Sequence, residues 1–196
     1  FTTTLLNPSE WTAKWIGIDG KYNTDDQKRT ILPARYLRNE FSVSGKVTRA
    51  TLYIAGAGST YAYINGKKVS NDVFGSLPSW FPTAINFTTY DVTPLITKGN
   101  NAIGILLGNG RYLSMRNDNT MFGMPRVIAQ LVIETPAGKT TVVTDGSWKA
   151  TDQGPIRENN EYDGEKYDAR MELGNWAAAG YDASAWKNAD EMKSPT

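Results

Sequence analysis

The chain has 196 residues, with 21 Lys and Arg against 20 Asp and Glu, a formal net charge of +1, and neither His nor Cys. A balanced charge leaves no electrostatic footprint for nucleic acid or for an acidic membrane surface. The missing residue types exclude disulfides, thiolate metal sites and Ser-His-Asp or Cys-His catalysis, so carboxylates, Lys, Tyr and Arg are the reactive groups that remain.

In chain order, residues 1–10 have neither the basic start nor the apolar core of a signal peptide. No later stretch reaches the roughly 18 apolar residues of a membrane-spanning helix. Residues 1–33 read as an irregular segment wrapping a sandwich. From residue 34 the pattern is alternation at period two, bounded by Gly, Asn and Pro. Residues 36–43 form a strand with Leu37, Phe41 and Val43 on one face and Arg38 and Glu40 on the other. Residues 50–55 form a second, with Ala50, Leu52 and Ile54 inward. Residues 60–64 lead into Asn65-Gly66, a type I′ hairpin signal in which both central residues need positive φ. Residues 67–71 return as a short strand, and 84–90 as another. Residues 91–96 carry a helical turn with Pro94 at its first position and Asp91 or Thr93 as cap. Gly99-Asn100-Asn101 is a turn. Residues 102–107 are almost continuously apolar, so both faces of that strand are covered. Residues 126–134 alternate again and turn through residues 136–139 onto 140–144. Residues 149–151 and 162–168 supply the last extended pieces, and 172–196 is a second wrapping segment. Many short strands and almost no helical periodicity argue for an all-β sandwich or jelly roll, in one domain over residues 1–196.

Several runs, in this order, resemble the N-terminal sugar-binding domain of bacterial α-L-rhamnosidases. They are WTAKWIG at residues 11–17, ARYLRNEFSV at 34–43, TLYIAGAGSTYAYINGKKV at 51–69 and TTYDVTPLITKGNNAIGILLGNGRY at 88–112. FGMPRVIAQLVIE, TDGSWKA, YDGEKYDAR and GNWAAAGYDASAWKNA follow. No single run is specific, but the ordered set is, and YDGEKYDAR is the most telling piece. The resemblance implies an all-β, jelly-roll β-sandwich, galactose-binding-domain-like, excised from a larger glycoside hydrolase whose catalytic (α/α) barrel is absent here. It also implies a periplasmic, extracellular or cell-surface location, from the substrate class. In some members such a domain binds L-rhamnose through calcium.

Carried over residue by residue, the calcium ligands are Asn71, Asp72 and the carbonyls of Thr120 and Pro125. Calcium prefers several hard oxygens, and one carboxylate with carbonyls makes a site that a sugar completes. Two departures stand out: the Asn71-Asp72 order looks exchanged, and FGSLPSWF at residues 74–81 replaces the usual Pro-Gly-Trp-Thr run. The plainer reading is a strand end at Asn71-Asp72 and a polar turn at residues 117–119. Trp80 offers a flat face for a sugar ring, or else covers the sandwich end. Arg111, Tyr112 and Asn119 lie on loops where they can hydrogen-bond a sugar. Trp11, Trp15, Trp148, Trp176 and Trp186 read as framework. Asp163 and Glu165 could form a carboxylate pair for glycoside hydrolysis. Pairing of Asp168 with Arg170, which share a strand face, favours a structural role for that motif. Three functions are therefore open: a non-catalytic carbohydrate-binding domain, with or without calcium; a structural domain buttressing the catalytic barrel; and an autonomous sandwich glycosidase.

Overall fold

The computed structural model describes residues 7–20, 32–73, 75–76, 79–113 and 122–195. Fourteen strands and three short 3₁₀ turns are found among them, with no α-helix. Two six-stranded antiparallel sheets face each other. The first contains β1 (Trp15–Gly17), β3 (Arg49–Ala57), β6 (Thr88–Asp91), β8 (Arg126–Thr135), β9 (Gly138–Val143) and β14 (Asp190–Met192). The second contains β2 (Arg35–Val43), β4 (Ser59–Ile64), β5 (Lys67–Lys68), β7 (Gly99–Gly108), β10 (Lys149–Thr151) and β13 (Lys187–Asn188). A hairpin of β11 (Ile156–Asn160) and β12 (Gly164–Tyr167) forms a small sheet of its own.

Alternation builds the core. Leu37, Ala50, Leu52, Ile54, Ile103, Ile105, Leu107, Val127, Ala129, Leu131 and Ile133 point between the sheets and are buried with Trp148. In β2, β3 and β8 these are the inward positions expected from period two. β7 lies between β2 and β4. Its outer face is covered by the C-terminal segment, where Trp176 and Ala177 pack on Gly104. This covering explains the apolar continuity of the strand. Trp176 meets Tyr36 and Tyr63 edge-on, at 5.2 and 5.5 Å between centroids. Burial pushes the Tyr36 hydroxyl up to about 12.

The Asn65-Gly66 turn has φ of +52° and +79° at its two residues, the type I′ signature. Asn65 also donates to the Leu95 carbonyl and to Asn101 Oδ1, at 3.0 and 2.8 Å, tying the turn to the start of β7.

Several elements differ from the sequence pattern. β5 stops at Lys68 rather than residue 71, because local bonds take over: the Asp72 N–H donates to Ser70 Oγ at 3.0 Å and the Tyr61 hydroxyl donates to the Val73 carbonyl. β6 starts only at Thr88, because the Trp80 carbonyl accepts from the Thr83 and Ala84 N–H groups and folds that stretch into a turn. Gly99, at φ +97°, opens β7 directly. β1, β13 and β14 lie in segments expected to be irregular. They are two or three residues long and carry no readable alternation. β11, the polar run IRENN, carries a register shift between Ile156 and Glu158 and is equally unreadable by period.

Candidate functional site

The loops that bear the expected site residues meet around the β3–β4 connection. Gly75, in the β5–β6 loop, sits against the Thr60 carbonyl so closely that a Cβ there would overlap it. On the other side, Pro125 Cβ lies 3.3 Å from where a Cβ on Gly58 would be. Both loops thus rest on the three residues 58–60.

Asp72 is exposed, and its carboxylate Oδ2 accepts from the Tyr90 hydroxyl at 3.0 Å. The Lys68 ammonium donates to the Asp72 carbonyl at 3.1 Å and lies 4.2 Å from the centre of the Tyr61 ring. Hydrogen bonds from Ser70, and then from Tyr90, hold the Asp72 carboxyl below its ordinary value. Tyr90 is itself pushed up, by burial first and then by its bond to Asp72. A small cavity of about 10 Å³, room for roughly one water, lies beside them, lined by Thr60, Tyr61, Lys68, Ser70, Gly75 and Tyr90 among others. It opens between the edge strands of the two sheets, β5 and β6. Asn71 is exposed next to it.

Trp80 is 70% exposed and Val73, in the same loop, 72%. Trp80 therefore does not cover the sandwich end. Its neighbour Phe81 is buried and packs on Tyr112 and Phe122, with centroids 5.0 and 5.1 Å apart. This aromatic triad ties the Trp80 turn to the loops after β7 and before β8. The other five tryptophans pack into the framework. Trp148 is fully buried with its indole N–H on the Val143 carbonyl at 2.8 Å, Trp11 packs edge-on against Phe87, Trp15 lies against Ala57 and Ala55, and Trp176 and Trp186 adjoin each other.

The remaining expected residues are placed differently. Tyr112 is only 2% exposed, so its ring supports the loops rather than meeting solvent. Arg111 is exposed and 3.9 Å from Glu161 at the tip of the β11–β12 hairpin. Pro125 is buried, and its carbonyl faces Gly17 on β1. Asn119 and Thr120 lie outside the described residues. Calcium takes six to eight oxygens; of the expected set, the described residues offer the exposed Asn71 and Asp72, while the Pro125 carbonyl is turned to Gly17. Among the described residues no three acidic side chains gather, and two of the Asp72 oxygens already have donors. Asp163 lies in the hairpin turn, accepting from Asn160 at 2.8 Å, while Glu165 is exposed on β12. Asp168 pairs with Arg170 at 2.7 Å, which lowers its carboxyl to about 2.

Sequence reasoning passed over Lys68, Ser70 and Tyr90. Only their places at the end of β5 and in β6, the two edge strands, point to them. It also passed over a buried network at the start of β2. Arg35, 1% exposed, pairs with Asp19 at 2.6 Å and donates to the Pro33 carbonyl and to Asn109 Oδ1. Asn109 in turn holds the Leu32 and Asn159 carbonyls, at 2.7 and 2.8 Å.

Residues 45–196 match the family model described as the α-L-rhamnosidase N-terminal domain. The chain belongs to this family. An α-L-rhamnosidase of Alteromonas sp. is 40% identical over 191 residues, covering 93% of this chain and 20% of the relative. The solved α-L-rhamnosidase of Dictyoglumus thermophilum superposes with a TM-score of 0.86 at 37% identity, over 98% of this chain and 22% of that one. The Streptomyces avermitilis α-L-rhamnosidase complexed with L-rhamnose does so with 0.76 at 31% identity, over 85% and 16%. The chain thus spans about a fifth of the length of these relatives. The family resemblance and the sandwich read from the sequence both hold. The described residues form an all-β domain without the (α/α) barrel of family catalysis.

Proposed function

We propose that this chain is the non-catalytic, sugar-binding accessory domain of an α-L-rhamnosidase, taking rhamnose or a rhamnose-bearing glycan at the loop end between Asp72 and Trp80. The observation that carries the reading is Trp80, 70% exposed while its neighbour Phe81 is locked in the aromatic triad. An exposed indole on an anchored turn offers an apolar face to the C–H side of a sugar ring. Asp72, at the start of the same β5–β6 connection, carries a carboxylate that can accept from sugar hydroxyl groups, with Lys68 and Tyr90 around it. Polar groups and an aromatic platform carried by one connection are what a weakly bound sugar requires.

The partners in this reading are the rhamnosyl ligand and the catalytic and other domains of the same polypeptide. The location is extracytoplasmic, in the periplasm or outside the cell, where such glycans are met. Catalysis belongs to the other domains. Titration of labelled protein with L-rhamnose, followed by NMR, tests the reading. Shifts should concentrate at the Trp80 indole and the backbone of Asp72 and Tyr90. Shifts confined to the β11–β12 hairpin, or none at saturating sugar, would contradict it.

A further inference from the structure

Sugar binding at the β5–β6 edge rests on the reading above. A separate question is what holds that edge in shape. The family resemblance points to a calcium ion beside Asn71 and Asp72, whereas the geometry points to a different cation. Lys68, the last residue of β5, folds its side chain forward over Tyr61. Its ammonium donates to the Asp72 carbonyl at 3.1 Å, with the ring centre 4.2 Å away. The same turn is closed by the Tyr90 hydroxyl on Asp72 Oδ2 at 3.0 Å, by the Asp72 N–H on Ser70 Oγ at 3.0 Å and by the Tyr61 hydroxyl on the Val73 carbonyl.

These contacts occupy the Asp72 carbonyl and one oxygen of its carboxylate. A divalent ion on the Asp72 carbonyl would sit next to an ammonium, and like charges at that spacing repel. On Oδ2 it would compete with the Tyr90 donor. Pro125, the other described residue of the expected set, turns its carbonyl to Gly17. The ammonium meets the same electrostatic need from within the chain: a positive charge that gathers a carbonyl oxygen and a ring face into one turn.

We infer that Lys68 takes the part of the metal ion, holding residues 69–73 in place so that this edge forms, and receives its sugar, without calcium. The test uses calcium chloride alone as probe. Wild-type protein should give no saturable heat on calcium addition and no rise in melting temperature. Hydrogen exchange of the Ser70, Asp72 and Val73 amides should be the same in calcium and in chelator. Lys68→Met should speed that exchange roughly tenfold without altering β7, and Lys68→Arg should restore most of the protection. Saturable calcium heat with a raised melting temperature in the wild type would overturn the inference, and so would unchanged exchange in Lys68→Met. L-rhamnose titrations separate the two claims. Binding in chelator supports both, and binding only with calcium overturns this inference while keeping the sugar reading. Binding under neither condition overturns the sugar reading, and the role of Lys68 is then decided by the calcium titration and the exchange data.

Discussion

Replacing Arg35 with Met should be among the most damaging single changes in this domain. Arg35 is 1% exposed and Asp19 5%, so neither can recover hydration when its partner is removed. The variant leaves the Asp19 carboxylate and Asn109 Oδ1 buried without their guanidinium donor. Breaking a buried pair in this way costs about 3–5 kcal/mol. A domain of this size loses about 2–4 °C in Tm per kcal/mol, so the melting point should fall by about 6–20 °C. Urea and thermal unfolding measure the loss. The double variant Arg35→Met with Asp19→Leu should recover part of it, since no lone charge is then buried. A loss below about 1 kcal/mol, the scale of an exposed pair, would refute the reasoning and mean that water reaches the pair.

Gly75→Ala should displace the β5–β6 loop, because a Cβ there overlaps the Thr60 carbonyl. Sugar affinity should fall several-fold with little change in Tm; unaltered affinity would show that the loop position does not matter. Gly104→Ala places a Cβ 2.6 Å from Trp176 Cζ3 and 2.7 Å from Ala177 Cβ. Overpacking of this kind costs about 1–3 kcal/mol, and the near-ultraviolet signal of Trp176 should change with it; unchanged melting and spectrum would contradict the tight cover on β7. The Asp168 carboxyl should titrate near 2 by NMR, below the ordinary 3.8, and Arg170→Gln should return it toward 3.8. Because the folded value is depressed, the stabilising contribution is complete above the ordinary value and is lost as pH falls through about 2. A wild-type midpoint near 3.8 would remove that ion pair from the account.

The sheets were legible wherever alternation ran long enough to show a face. β2, β3 and β8 follow the expected inward positions, since one buried face fixes register, and β7 is covered on both faces as its unbroken apolar run implies. The Asn65-Gly66 turn was legible because its chemistry is local. β1, β13 and β14 were not, because two or three residues at a sheet edge carry no period. At the candidate site, Trp80 and Asp72 stood out by type and by place in a loop. Tyr112 looked equally eligible, and only its packing between Phe81 and Phe122 takes it out of solvent. Lys68 and Tyr90 could not be read as a pair of groups serving Asp72, because their meeting depends on how the two sheet edges approach. The Arg35 network joins four segments separated by up to 140 residues of chain, Asp19 to Asn159, which no local pattern encodes.

The proposed function requires this chain to bind a rhamnosyl sugar on its own, through Trp80. Calorimetric titration with L-rhamnose, comparing the wild type with Trp80→Ala, tests it most directly. The wild type should give saturable heat with a Kd in about the millimolar range, near −4 kcal/mol. Trp80→Ala, folded and with an unchanged melting point, should weaken that binding by at least about tenfold. No heat in the wild type, or equal affinity in the variant, would contradict the account.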